Sequence, residues 1–430
     1  MNRHLVRAEV RHRSTCRGCL STELTLILRM TPTPPGDHYV TAEALGNPQP
    51  AYPMDLMMCG ACGLAQLPDV VDPELLYRDY IYNTSVSLGL VQHFDRYAAS
   101  VLTAVTPRDG SLVIDIGSND GTLLKGFAKR GMRVLGVDPA REVARRATDD
   151  GLETMPTFFS SSLAAEIRRE RGPAAIVTAN NVFANVDDLD DLMKGVREVL
   201  ASDGVFVFET GYFPDLVRQR IIDNIYHEHL TYYAVKPLVK LFERYDMELE
   251  SVWHEPTKGG SIRGFVRPAR RSKRRMPPAN LDELIGAETA DGFDRPEALS
   301  GFAQGVEALK HELGGLVTNL RRGGRTLAGY GASVGVTTLL YYFDLGEVLS
   351  FIVDDNPKRH GRFTPGHHLP VLPSSALYER RPDDVILLAW RYAEPITARH
   401  GAYLDAGGRF ILPLPTLSIS GPPPPAAVGV

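Results

Sequence analysis

No apolar run in this 430-residue chain approaches the ~18 residues a membrane-spanning helix needs, so no helical span is expected. Basic residues stand at Met1-Asn-Arg-His, but no apolar stretch or cleavage site follows them, which argues against a secretory signal. Charge of neither sign dominates: the formal net charge is -5, which gives no support to binding nucleic acid or a membrane surface. With 43% hydrophobic and 23% charged residues the composition is that of a globular protein, and we expect it in the cytoplasm. The length suggests about three domains.

Cysteine is scarce. The chain has four, Cys16, Cys19, Cys59 and Cys62, too few and too regular for a disulfide framework in a reducing compartment. They form two Cys-x-x-Cys knuckles, Cys16-Arg-Gly-Cys19 and Cys59-Gly-Ala-Cys62, a pattern suited to one tetrahedral zinc. With sulfur at all four positions no place is left for substrate, so this metal should be structural. The alternatives are a redox pair or coincidence. A Pro-rich excursion, Thr31-Pro-Thr-Pro-Pro-Gly36, separates the knuckles, and the short run Leu64-Ala-Gln-Leu67 closes a module of residues 1–70.

Residues 71–235 alternate between apolar strands and helices, as in a doubly wound parallel sheet. Ser111-Leu-Val-Ile-Asp-Ile116 leads into the turn Gly117-Ser118-Asn119-Asp120-Gly121, and the next strand ends on Asp138. An acid about twenty residues past a glycine turn can bind both hydroxyls of a ribose. The turn departs from Gly-x-Gly-x-x-Gly and carries Asp115 and Asp120, which would repel a pyrophosphate but not a sulfonium or an ammonium. That charge favours S-adenosylmethionine over NAD. Asp115 and Gly117 are expected at its methionine end, Asp138 at the ribose and Asn180 near the methyl group.

Tyr226-His227-Glu228-His229 concentrates more titratable chemistry than a core segment would normally carry. It follows a strand ending in Glu209-Thr-Gly211, and we read it as an acid/base centre; the alternative is a polar turn with a satisfied histidine. Upstream, Tyr80 and Tyr82 lie in an aromatic, hydroxyl-rich stretch that is either part of the site or packing. Residues 236–415 contain Gly259-Gly-Ser-Ile-Arg263, a basic run Arg267–Arg275 read as a solvated linker, and a second strand-turn-helix unit. That unit spans Thr326-Leu-Ala-Gly-Tyr-Gly331-Ala-Ser333-Val-Gly335, with strands near 349–355 and 385–389. Its turn has no acid and cationic residues follow, so a nucleotide diphosphate would suit it. Residues 416–430 form a Pro-rich tail expected to be disordered.

Taken in order, the four cysteines, the Gly-Ser-Asn-Asp-Gly turn, Tyr-His-Glu-His-Leu-Thr-Tyr, Gly-Gly-Ser-Ile-Arg, Gly-Tyr-Gly-Ala, Asn-Pro-Lys and Thr-Pro-Gly resemble the C-methyltransferases of nucleotide-linked deoxysugars. Those enzymes make branched sugars for antibiotics and bacterial polysaccharides. The resemblance covers nearly the whole chain. It implies an α/β protein with an N-terminal zinc module, a central Rossmann-like class I methyltransferase domain and a smaller C-terminal Rossmann-like domain for the nucleotide sugar. The family's proton-abstracting histidine falls on His229, with Glu228 and Tyr226 beside it, and an active-site tyrosine falls on Tyr80. Asn185, Tyr82, Arg263, Gly331, Ser333, Lys358 and Arg362 are the expected substrate contacts. Two positions depart from the family: Ala184-Asn185 replaces an Ala-His pair, and Gly335 stands where relatives often carry lysine. An amide cannot shuttle a proton, and glycine brings no charge to a phosphate.

The implied reaction is methylation at carbon 3 of a 4-keto-6-deoxysugar through an enolate, with in-line attack on the sulfonium methyl. An epimerase working through the same enolate is the first alternative. A zinc-ribbon protein that recognises nucleic acid is the second, and the acidic balance argues against it.

Overall fold

Every residue of Leu112-Val-Ile-Asp-Ile116 is buried, and alternate side chains enter opposite faces of the sheet they help to form. Val113 joins one core with Ile176, Val205 and Val207, and Ile114 joins another with Val177, Phe206 and Phe208. A strand covered on both faces needs this continuous apolar run. The computed structural model describes residues 9–78, 84, 89–269 and 280–421. Among them no helix is long and apolar enough to cross a membrane.

The strands of this sheet are β1 (Leu112–Ile116), β2 (Arg133–Val137), β3 (Thr154–Met155), β4 (Ala174–Asn180), β5 (Leu200–Gly211), β6 (Met247–Glu255) and β7 (Ser261–Pro268). Their order is β6-β7-β5-β4-β1-β2-β3, parallel except that β7 runs antiparallel to both of its neighbours. Helices α1 (Leu90–Val105), α2 (Thr122–Ala128), α3 (Arg141–Asp149), α4 (Ser161–Arg171) and α5 (Leu189–Val199) alternate with the parallel strands. Ser160 caps α4 by accepting from the Leu163 amide at 3.2 Å, and Asp188 caps α5 by accepting from Asp191 at 3.0 Å. Such starts aim the carboxyl ends of β1, β2, β4 and β5 at one edge, where an open α/β sheet takes its ligand.

The chain forms two compact units. The first comprises Met1–Thr25, Met57–Pro214 and Glu228–Ala298, and holds this sheet and all four cysteines. The second comprises Leu26–Leu56, Asp215–His227 and Leu299–Val430. Compactness therefore follows a different division from the linear order of the motifs. The excursion between the knuckles belongs with the second unit for a packing reason. There the Tyr39 hydroxyl donates to the Ser333 carbonyl at 3.3 Å, Val40 bridges Phe363, and Asp37 pairs with Arg359. The second unit is itself α/β: a long α6 (Ser300–Arg322), then β8 (Leu327–Tyr330), α7 (Val334–Tyr342), β9 (Ile352–Asp354), β10 (Val371–Pro373), β11 (Asp384–Leu387), β12 (Arg409–Leu412) and β13 (Ser418–Ser420). The strand order is β10-β9-β8-β11-β12-β13, parallel but for the last.

Candidate active site and metal centre

The two knuckles converge. The four sulfurs all lie within 4.8 Å of one another, with Cys16 to Cys62 and Cys19 to Cys59 both at 3.6 Å. A tetrahedral zinc with Zn–S bonds of ~2.3 Å places its ligands about 3.8 Å apart, close to the two 3.6 Å spacings. Contact with Cys62 holds the Cys16 thiol down to about 5, while burial pushes Cys59 up to about 11. Sulfurs so close cannot all ionise unless a cation joins them.

At the carboxyl edge of β1, Asp115 accepts from the Thr178 hydroxyl at 2.6 Å. Burial lifts its carboxyl to about 7, against the pull of Thr178 and with a smaller push from the Asp138 charge. Gly117 turns the chain at φ +72°, and a side chain there would meet Val182 at 2.9 Å. Ser118 is buried, and its hydroxyl closes no hydrogen bond. Asp138 ends β2 with both oxygens pinned, Oδ2 by the Asn119 amide at 2.8 Å and Oδ1 by Ala140 at 2.9 Å. One lone pair on each oxygen is left for a ribose hydroxyl. The Asn119 side chain holds Thr84 at 2.9 Å, and Asp120 accepts from the Thr122 amide and hydroxyl at the start of α2. At the end of β4, neither amide atom of Asn180 nor the neighbouring Tyr97 hydroxyl closes a hydrogen bond of normal geometry.

The two histidines of the motif sit differently. His227 is 1% exposed, and its Nε2 bonds the Tyr52 carbonyl at 3.1 Å. His229 is half-buried on backbone fixed at both neighbours. The Glu228 carbonyl accepts from the Tyr77 hydroxyl at 3.3 Å, and the Leu230 amide donates to Ala184 at 2.9 Å. Ala184 is followed by Asn185, whose amide bonds the Tyr77 phenol and whose Oδ1 is buried without a partner. Burial and the Glu228 charge keep Tyr77 well above the ordinary phenol range. Glu228 is buried and Tyr226 half-buried. Tyr80 and Tyr82 lie outside the described residues.

Arg263 is enclosed by protein partners. It is 3% exposed, with Nε and Nη2 on Glu209 at 3.1 and 2.8 Å, Nη2 also on Glu255 at 3.0 Å, and Nη1 on Ser100 at 3.0 Å. The guanidinium lies over the Tyr97 ring, and Glu209 also takes His93 Nε2 at 2.7 Å. A guanidinium so enclosed holds Glu209 in place. Tyr77, His93 and Glu209 were not singled out as site residues from the sequence. Tyr77 carries a local signal in its aromatic stretch, whereas His93 and Glu209 meet only through the fold.

In the second unit Gly331 ends β8 with its amide on the Val353 carbonyl at 2.8 Å, and Ser333 caps α7 without using its side chain. Asp354 pins two amides, Ala332 at 2.6 Å and Asn356 at 2.7 Å, as Asp138 does in the first unit. Lys358 is exposed, and Arg362 bonds the carbonyls of Lys358 and Tyr39. Gly335 has a steric cause: a Cβ there would lie 2.1 Å from the Asp223 carbonyl oxygen. No lysine fits that position.

Four converging thiols and a doubly wound sheet with acids at its ligand edge define a zinc-containing methyltransferase. Three family descriptions match in succession: a putative zinc-binding domain over residues 16–77, a methyltransferase domain over 91–252 and a C-methyltransferase C-terminal domain over 256–415. C-methyltransferase NovU of Streptomyces niveus is 32% identical over 407 residues, covering 94% of this chain and 96% of that protein. The chain belongs to this C-methyltransferase family and is an S-adenosylmethionine-dependent C-methyltransferase with a structural zinc site. Among solved structures, magnesium protoporphyrin IX methyltransferase of Synechocystis PCC 6803 is 14% identical, with 46% of this chain and 98% of that one covered and a TM-score of 0.34. The CcbJ methyltransferase of Streptomyces caelestis is 13% identical, with 41% and 89% covered and a TM-score of 0.32.

The raised Asp115 carboxyl makes a prediction about cofactor affinity. Only the ionised carboxylate offsets a cation, and its ionisation falls near pH 7, so a cofactor cation set against Asp115, as expected from the sequence, would bind below that pH only by expelling a proton. Affinity for S-adenosylmethionine should rise from pH 6 to pH 8 and then level off. Asp115→Asn should flatten this profile and weaken binding about 10- to 100-fold at pH 8, the cost of one charge-assisted hydrogen bond. Calorimetric titration across this range checks it; a flat wild-type profile would remove Asp115 from the cofactor's cationic end.

Proposed function

We propose that this enzyme methylates carbon 3 of a nucleotide-linked 4-keto-6-deoxysugar, with His229 as the base. The observation that supports the reading is the backbone fixed on either side of the half-buried His229, at Glu228 by the Tyr77 hydroxyl and at Leu230 by the Ala184 carbonyl. A carbon next to a ketone becomes a nucleophile only after losing a proton, and histidine is the side chain whose basicity suits that step near neutral pH. Enolate oxygen needs donors, which Tyr226 and Tyr80 supply. Glu228 orients the site, and Asn185 accepts from a sugar hydroxyl rather than moving a proton. Asp115, Gly117, Ser118, Asn119 and Asp138 hold the cofactor, with Asn180 near its methyl group and Asp120 shaping the turn. When bound, S-adenosylmethionine supplies the electrophilic methyl group that the enolate carbon takes. Gly331, Ser333, Lys358 and Arg362 contact the nucleotide diphosphate.

The test is mass spectrometry of the purified enzyme with S-adenosylmethionine and a panel of nucleotide 4-ketosugars in deuterated water. Gain of one methyl group on a sugar is expected. Deuterium gained without methyl would replace this reading with an epimerase, and no change on any ketosugar would remove the substrate class.

A further inference from the structure

A metal closed on four sulfurs cannot touch substrate, so its bearing on the reaction must run through what the knuckle holds. Arg17 stands between two of the ligands, in Cys16-Arg17-Gly18-Cys19, and its side chain is 0% exposed. An enclosed cation is costly unless its donors are met in good geometry. Here Nε bonds Asp187 at 2.9 Å and Nη1 bonds two carbonyls, Leu67 at 2.6 Å and Leu230 at 3.2 Å, while Nη2 is buried without a hydrogen-bond partner. The Arg17 amide in turn donates to the Gln66 side chain at 2.9 Å.

Leu230 immediately follows His229, and its peptide group is bound at both ends. Its amide donates to Ala184, and its carbonyl accepts from the Leu67 amide at 2.9 Å as well as from Arg17. Arg11 and Arg13 also reach Asp187, but their described hydrogen bonds do not extend to Leu230. Arg17 alone among these three links the knuckle to the backbone after His229. A guanidinium suits the task because its rigid fork serves a carboxylate and two carbonyls at once, which an ammonium on a flexible stem does not.

We propose that Arg17 is a positioning residue for methyl transfer: its guanidinium carries the rigidity of the zinc knuckle to the Leu230 carbonyl and so fixes the backbone that presents His229. The proposal rests on His229 as the base. It gives the structural zinc a part in alignment, where a displacement of 1 Å can cost about a hundredfold in rate.

The test uses zinc-loaded Arg17→Met and Arg17→Lys. Each should keep one zinc per chain and bind S-adenosylmethionine within about twofold of wild type, while kcat falls roughly 10- to 100-fold and KM changes little. Lysine should recover part of kcat, since it can still reach one carbonyl. By hydrogen exchange, the Leu67 and Leu230 amides should lose protection in Arg17→Met while those of β4 keep theirs. Normal kcat in the folded variants, or faster exchange throughout the first unit, would overturn the proposal. Should neither variant fold, wild-type protein titrated with a zinc chelator decides. Loss of protection at Leu67 and Leu230 ahead of β1 and β4 supports the link, and retained protection or simultaneous loss everywhere overturns it. His229→Ala assayed alongside separates the two ideas: normal turnover there refutes the base, whereas the exchange result judges Arg17 independently.

Discussion

Replacing His229 with alanine is expected to slow methyl transfer by about 10²- to 10⁴-fold, the range lost with a general base, while S-adenosylmethionine binds as before. The same variant should lose deuterium exchange at the reacting carbon, because no enolate then forms at a useful rate. His227 supplies the internal control. It is buried, and its Nε2 bonds the Tyr52 carbonyl. His227→Phe should therefore lower the melting temperature modestly, by the roughly 1 kcal/mol of one lost hydrogen bond, since the Thr33 amide still serves the Tyr52 carbonyl at 3.2 Å. Its folded fraction should keep the pH dependence of kcat. Rate and exchange measured on both variants decide the matter: equal losses at the two positions, or normal turnover without His229, would end the base assignment.

The contrast between these histidines was not legible in the sequence, where both belong to one short motif. What was legible depended on local rules. A buried strand running into a glycine turn, followed by a second strand, identified β1 and β2 because each feature answers to its immediate neighbours. Two Cys-x-x-Cys pairs identified the metal centre for the same reason. Arg263 shows where such reasoning stops. Its strand, β7, is buried at nearly every position, so alternation along it does not separate a ligand-facing residue from an enclosed one. Its partners Glu209, Glu255 and Ser100 come from three other elements. Arg17 was equally opaque, since its contacts at Leu67, Asp187 and Leu230 lie far along the chain. The excursion Leu26–Leu56 looked like part of the zinc module because it runs between the knuckles, yet it packs with the second unit. Gly335 read as a missing charge; the nearby Asp223 carbonyl shows that any side chain would clash.

Removing the zinc is expected to have the largest effect of any single change. Structural zinc contributes roughly 10–16 kcal/mol of apparent binding energy in small zinc-finger peptides, and here the four thiols converge with no disulfide to replace it. The module is tied to the chain that follows His229 by more than Arg17. Thr231 and Tyr232 pair with Gln66 and Ala65 in an antiparallel ladder. Lys240 donates to the Ala61 carbonyl, and Arg244 to that of Gly18. By contrast, the hydrogen bonds of the cofactor corner, on Asp115 and Asp138, come from Thr178, Asn119 and Ala140, none of them in the module. Chelated enzyme, or Cys62→Ala, should therefore lose turnover by at least about a thousandfold, more than one misplaced group explains, while S-adenosylmethionine affinity changes far less. Because the ligands must be thiolates, acid should release the metal, and turnover should fall with zinc content as pH drops. Zinc content, cofactor affinity and rate measured on the same samples decide the outcome. Zinc-free protein that turns over normally would make the four-sulfur site an ornament of the fold. Zinc-free protein that loses cofactor binding in step with rate would mean that the module supports the whole first unit and not the His229 segment in particular.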